Sequence, residues 1–289
     1  MPTYASRGPI TATVQVAGAQ VRVTASDRTD TVVLVEPVDR ARRRDVKVAA
    51  RTKVDFAGGH LSVKTTAAGD TYGSVAITID LPAGSSLIAY LAHSSVQVDG
   101  PLGECELHMA SGRVELDRID ALHANISAGD VAVGHVAGPA EIDGAAIAVR
   151  IGEVDGTVRI SGSRGQAWIG HASADLDLSS ASGAFDVDRA GAGVTATTAS
   201  GAIRIGRLTG GHAKLMNGSG DIEVGISEGT VAHIDVDSER GSVRNSVVAR
   251  EVPATSGATV SVHARTRNGD IAIHRVSADP QDASVTSTS

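Results

Sequence analysis

The chain has 289 residues, 42% hydrophobic and 20% charged, which is enough apolar content for a packed core and excludes a wholly disordered polypeptide. Aromatic residues are only 2%, against 33 glycines, so the core must be layered from Val, Ile, Leu and Ala. A net charge of −7 excludes the chain as a whole as an electrostatic partner of nucleic acid, and a single cysteine, Cys105, excludes a disulfide framework and a Cys-based zinc site.

The N-terminal stretch "MPTYASRGPITATVQV" has no basic segment followed by an apolar run, so no signal peptide is expected. No stretch approaches ~18 consecutive apolar residues, so no integral membrane segment is expected. The expected location is the cytoplasm, with envelope association as the alternative. Residues 1–92 hold alternating stretches: "ITATVQVAG", "AQVRVTAS", "DTVVLVEP", "RTKVDFAG", "HLSVKTT" and "SVAITIDLP". Period-2 alternation broken by turn residues predicts an antiparallel β meander that caps the remainder of the chain. The basic run "DRARRRD" (39–45) is expected to be a solvated loop.

From residue 93 one phrase recurs. "NISAGDVAVG" (125–134), "SSASGAFDVD" (179–188), "TTASGAIRIG" (197–206) and "MNGSGDIEVG" (216–225) share a glycine followed by alternating apolar positions. The anchor falls at Gly112, Gly129, Gly165, Gly183, Gly201 and Gly220, at intervals of 17, 36, 18, 18 and 19 residues. The double interval has its midpoint at Ile147, a copy that has lost its glycine. One step back reaches Ser94, and one step on reaches Gly241. About eight copies therefore run over 93–245.

A period of ~18 residues is too short for a pair of helices, and the alternation within each copy is that of strands. The predicted fold is all-β: a single β-solenoid of two or more short strands per coil, with coils ~4.8 Å apart. After each anchor, pairs such as Val114 and Leu116 or Ile203 and Ile205 point inward. A second pair follows the turn, as in Cys105 and Leu107 or Leu122 and Ala124. Cys105 is thus a core residue. Residues 246–276, which repeat the phrase as "RNGDIAIH", are expected as a C-terminal cap hairpin, and 277–289 as a disordered tail.

The same register predicts outward columns. One reads Glu106, His123, Glu141, Arg159, Asp177, Thr195, Lys214. A second reads Glu115, Ala132, Arg150, Trp168, Asp186, Arg204, Glu223, Arg244. These alternate in sign and are read as ion-pair ladders, for which cross-strand pairing suffices. Trp168, the only tryptophan, lies between Arg150 and Asp186 in that register. Arg150, Trp168 and Arg204 are the candidate binding residues. A third column runs Arg118, His135, Glu153, His171, Arg189, Arg207. In it His135, Glu153 and His171 are the candidate metal ligands, because two imidazoles and a carboxylate suit a divalent transition metal. The basic Arg189 and Arg207 at its end disfavour a cation.

There is no phosphate loop opening a helix, no nucleophile elbow and no helical His pair. No cofactor and no catalytic residue is expected.

The ordered phrases "DRTDTVVLVEP", "RTKVDFAGGHLSVK", "ITIDLPAGSSL", the repeated SG-x-[VI]-x-[VI]-G and the final "ARTRNGDIAIHR" resemble a bacterial family of β-strand-repeat proteins of unknown function, often labelled as adhesins. The resemblance covers about residues 1–276 and carries over no catalytic or ligand residue. Some relatives resemble envelope-stress proteins with an anchor or export signal, which is not expected of this chain. The expected function is that of a non-catalytic scaffold or protein-interaction module with a protein partner, tied to envelope-stress or regulatory signalling. The alternatives are an adhesin at the cell surface, an enzyme or metal-binding protein using the His/Glu ladder, and an end-to-end polymer.

Overall fold

A computed structural model of the chain describes residues 2–65, 73–247 and 258–277. The described residues are almost all strand. They form two compact units, Met1–Gly165 and Gln166–Ser289. Each is a β-solenoid, the fold class expected from the period. No helix among the described residues is long and apolar enough to cross a membrane.

In the first unit the regular coils are β8 (Ser86–Val136), β9 (Ala140–Val154) and the start of β10 (Val158–Ala172). Coils pair in parallel and in register: Leu122 faces Ala140, Ala124 faces Ile142, and Val131 faces Val149. Alternation places every second side chain inside. Val114, Leu122, Val131 and Ile142 are all buried, and Cys105 is fully so. Burial pushes the Cys105 thiol up to about 12, which leaves it protonated and inert at neutral pH. A third interior column closes the corner after each phrase, at Ile119, Val136 and Val154.

The anchor glycines turn the chain at a corner where coils touch backbone to backbone. Gly112 has φ +150°, and a Cβ there would collide with the carbonyl of Ser94 on the coil before it. The copy without a glycine solves the same corner differently. Ile147 sits in register with Gly129 and is itself buried. A Cβ added at Gly144 would meet Ile147 Cγ2 at 2.8 Å. The preceding coil has Ile126 where this one has Gly144, so Ile147 fills the space that Gly144 vacates.

The N-terminal region is not a simple antiparallel meander. β2 (Thr11–Val16) and β3 (Ala19–Ser26) form a parallel coil. It lies between β6 (His60–Thr65) with β7 (Val75–Pro82) on one side and the start of β8 on the other. Among the described residues antiparallel pairing here is that of β1 (Thr3–Ala5), β4 (Asp30–Pro37) and β5 (Thr52–Ala57), which join β4, β7 and β6. Of the run 39–45 read as a basic loop, residues 39–42 are turn and Arg43–Asp45 instead open α1 (Arg43–Arg51). Val48 of the helix is buried. The buried Asp45 carboxylate accepts the amides of Asp39 at 3.1 Å and Ser74 at 2.9 Å, a tertiary anchor invisible to local pattern.

The second unit has coils built from β11 (Leu176–Ala190), β12 (Val194–Ser200), β13 (Ile203–Leu208), β14 (Gly211–Ser219) and β15 (Ile222–Ser227). Leu176 faces Val194, which faces Ala213, and Phe185 faces Ile203, which faces Ile222. Then the order changes. β18 (Thr259–Asn268) and β19 (Ile271–Val276) do not fold on each other as the expected hairpin. They pair in parallel with β14 and β15 on one side and with β16 (Val231–Arg240) and β17 (Val243–Asn245) on the other. Among the described residues the last phrase is thus the second-to-last rung, and Ala272 separates Glu223 from Arg244 in their column. The tail expected over 277–289 lies outside the described residues except for Ser277.

Candidate functional site

Of the residues singled out from sequence, Arg204 has the most defined setting. Strand alternation turns it outward between buried Ile203 and Ile205, and the coil register puts it beside Asp186. Its Nη1 donates to Asp186 Oδ1 at 2.6 Å and to Asp188 Oδ1 at 3.2 Å. The hydrogen bond to Asp186 is the chief cause holding the guanidinium above its ordinary value. Trp168 belongs to the second unit, half-buried between the buried Ala167 and Ile169. Arg150 belongs to the first unit, exposed and in register with Ala132.

His135 and Glu153 are register neighbours in the first unit, and His171 lies in the second. His135 Nε2 is 3.0 Å from Asp155 Oδ2, so this imidazole answers a different carboxylate from the one the column suggested. Among the described residues no group of three or more His, Cys, Asp or Glu is placed to hold a metal ion. Arg189 and Arg207 stand in register, and Arg207 donates to the carbonyl of Ser277 at 2.8 Å.

Sequence reasoning missed a groove in the first unit, about 720 Å³ in volume, lined by residues including Lys64, Gln15, Tyr90, His108 and Asn125. Gln15 lies in register with Lys64 on one side and Tyr90 on the other. The Tyr90 and His108 rings are stacked, with centroids 4.9 Å apart and planes 2° apart. Glu106 joins them: its Oε1 is 2.7 Å from His108 Nε2 and accepts from the Tyr90 hydroxyl at 3.4 Å. Glu106 and His108 share a face because they are two apart on one strand. The concavity comes from small side chains, Ala17, Ala92, Ala110 and Ser127, at the corner beside this column, and it needs no long loop. The repeat carries a signal of this pair, because one 18-residue step back from His108 is Tyr90. A neighbouring belt continues the ladder, with His123 Nδ1 3.4 Å from Glu141 and Arg159 Nε 3.9 Å from it.

The electrostatics of the outer faces share a direction. Asp30, Asp235 and Asp270 are held below the ordinary carboxylate value, chiefly by hydrogen bonds from Arg28, Arg265 and the Ser242 backbone respectively. Arg28 is raised, chiefly by its hydrogen bond to Asp30. Each shift makes the charge more permanent, which suits ladders and not proton transfer near neutral pH.

No curated protein is significantly similar to the chain. Among solved structures, "putative adhesin" is the name of those from Bacteroides fragilis (12% identity, 95% of each chain covered, TM-score 0.34), Parabacteroides distasonis (13%, 95% of each chain, 0.38) and Parabacteroides merdae (10%, 95% of each chain, 0.34). The model of one family, Toastrack DUF4097, matches residues 12–281. With nearly the whole chain matched and the coils in place, this protein belongs to the Toastrack DUF4097 family.

Proposed function

We propose that the chain is a non-catalytic interaction module that holds an extended segment of a protein partner in the groove of the first unit. The observation that carries this reading is the outward column Lys64, Gln15, Tyr90, His108 and Asn125 along that groove, with Tyr90 43% exposed. Five rungs at ~4.8 Å give a track of roughly 19 Å, the length of an extended peptide of about six residues. Tyrosine is a residue type enriched where proteins meet, because it offers area at low entropic cost. The ring faces are turned toward neighbouring rungs, so an occupant meets ring edges, the hydroxyl and amides.

The test compares the full chain with a Tyr90→Ala/His108→Ala variant as bait in extract of the native host. A partner held by the parent and released by the variant, with the circular dichroism of both alike, is the expected result. Identical captures by parent and variant would remove the groove from the reading.

A further inference from the structure

The last rung of the second unit differs from those below it. Among the described residues β16 and β17 are paired on one side only, to β18 and β19. Val262 and Ala264 of β18 are buried. Their register neighbours on the last rung, Ile234 and Val236, are only half-buried. Val243 is 44% exposed, whereas its neighbour Ile271 is fully buried. Among the described residues the solenoid interior therefore opens at this rung, beside a strand edge whose main chain offers donors and acceptors.

The outer face of β16 is acidic: Asp235, Asp237 and Glu239 alternate along it, all exposed. β18 shows what fits such a row. Arg265 Nη2 donates to Asp235 Oδ1 at 2.7 Å, and His263 Nδ1 lies 2.9 Å from Asp235 Oδ2. Arg267 Nε is 3.7 Å from Glu239 Oε2. The strand that complements β16 thus alternates apolar residues inward with basic residues outward.

We propose that the open edge of β16 accepts an extended segment of a partner protein by parallel strand addition, the segment alternating apolar residues with Arg, Lys or His. Main-chain hydrogen bonds supply affinity in this mode and alternate side chains supply selectivity. A second copy is a poorer occupant. A two-fold pairing about Val236 would set Asp235 against Asp237 of the other copy, and directly opposed like charges destabilise a sheet. The chain's own outlying sequence lacks the pattern: residues 278–289 carry Asp279 and Asp282 with no Lys or Arg, and residues 248–257 contain one Arg, one Glu and Pro253. This surface is separate from the groove, and its fate does not depend on it.

The probe is a labelled peptide with the sequence of residues 259–268, TVSVHARTRN, titrated into the full chain and followed by fluorescence anisotropy. Its control carries His263→Glu, Arg265→Glu and Arg267→Glu. The expected result is saturable binding of the first peptide, weaker by about tenfold or more for the control. Binding should also weaken as salt rises toward ~0.5 M. In the full chain, Asp237→Lys/Glu239→Lys abolishes binding, while amide exchange of the parent shows new protection along β16. Equal binding of both peptides, or binding of neither, overturns the proposal. Protection confined to β14, meaning displacement of β18, also overturns it. Dimers that compete with the peptide, or a tenfold gain in affinity on deleting residues 278–289, would name another occupant and overturn it too.

Discussion

The amide of Gly220 donates to the carbonyl of Asn268 at 2.8 Å, so the rung resting on residues 211–227 is the last in sequence among the described residues and not the next. The N-terminal end shows the same device, with residues 11–26 slotted between 60–64 and 75–82 on one side and 86–99 on the other. In each unit a segment near one chain end is held on both sides. Pulling it out would leave two faces of buried backbone unpaired, so these rungs are tied to the folding of their whole unit.

Gly269 is the corner of the slotted C-terminal rung. It has φ +151°, and a Cβ there would collide with the carbonyl of Gly220. Gly269→Ala combines left-handed strain with overpacking and is expected to cost about 2–6 kcal/mol. Gly59 also has positive φ, +76°, but nothing lies within 4 Å of its would-be Cβ. Gly59→Ala should cost only about 1 kcal/mol. Chemical denaturation of the two variants checks the pair, and equal losses would place the rungs wrongly.

Ile147 and Gly144 are expected to be coupled. Ile147→Ala removes a buried side chain and should cost about 2–5 kcal/mol. Gly144→Ala crowds Ile147 Cγ2, 2.8 Å from the new atom, and the carbonyl of Ile126, and should destabilise by about 1–3 kcal/mol. In the double variant the side-chain part of the crowding vanishes. Its loss should fall short of the sum by about 0.5 kcal/mol or more. Strict additivity would mean that Ile147 does not occupy the space beside Gly144.

Adjacent residues on β13 separate burial from the ladder. Ile203 is 1% exposed, so Ile203→Asp buries an unpaired charge and is expected to prevent stable folding. Arg204, one position on, has a 45% exposed side chain despite its bonds to Asp186 and Asp188. Arg204→Asp should cost about 1 kcal/mol. Soluble yield and thermal melts read both, and equal tolerance would contradict the inward and outward faces.

These pairs show which parts of the molecule local pattern reveals. Ile203 and Arg204 were assigned to opposite faces by a period of two, and Asp186 was set beside Arg204 by a period of ~18. Both follow from backbone geometry alone. The order of rungs was hidden because "SERGSVRN" and "TRNGDIAI" present the same turn and the same alternation. Either satisfies the edge left by β14 and β15 as far as main-chain bonding goes. α1 was hidden because its hold on the unit is made by Asp45 reaching Ser74, far along the chain. The groove was hidden because concavity comes from what is small, Ala92 and Ala110, beside Tyr90 and His108.

Stability should fall in acid through the ladder carboxylates. Asp30, Asp235 and Asp270 are each held below the ordinary value of 3.8, chiefly by bonds from Arg28, Arg265 and Ser242. A carboxyl whose folded pKa is depressed binds fewer protons folded than unfolded. Its stabilisation is therefore complete above the unfolded value and disappears as pH falls through the folded one. The three contributions should be intact at neutral pH and lost progressively below about pH 4. Melting temperatures of the parent and of Asp30→Asn/Asp235→Asn/Asp270→Asn measure this. The triple variant should start lower at pH 7 and lose less between about pH 4 and pH 2, so that the two curves converge in acid. Parallel curves would show that these contacts do not hold protons off the folded chain.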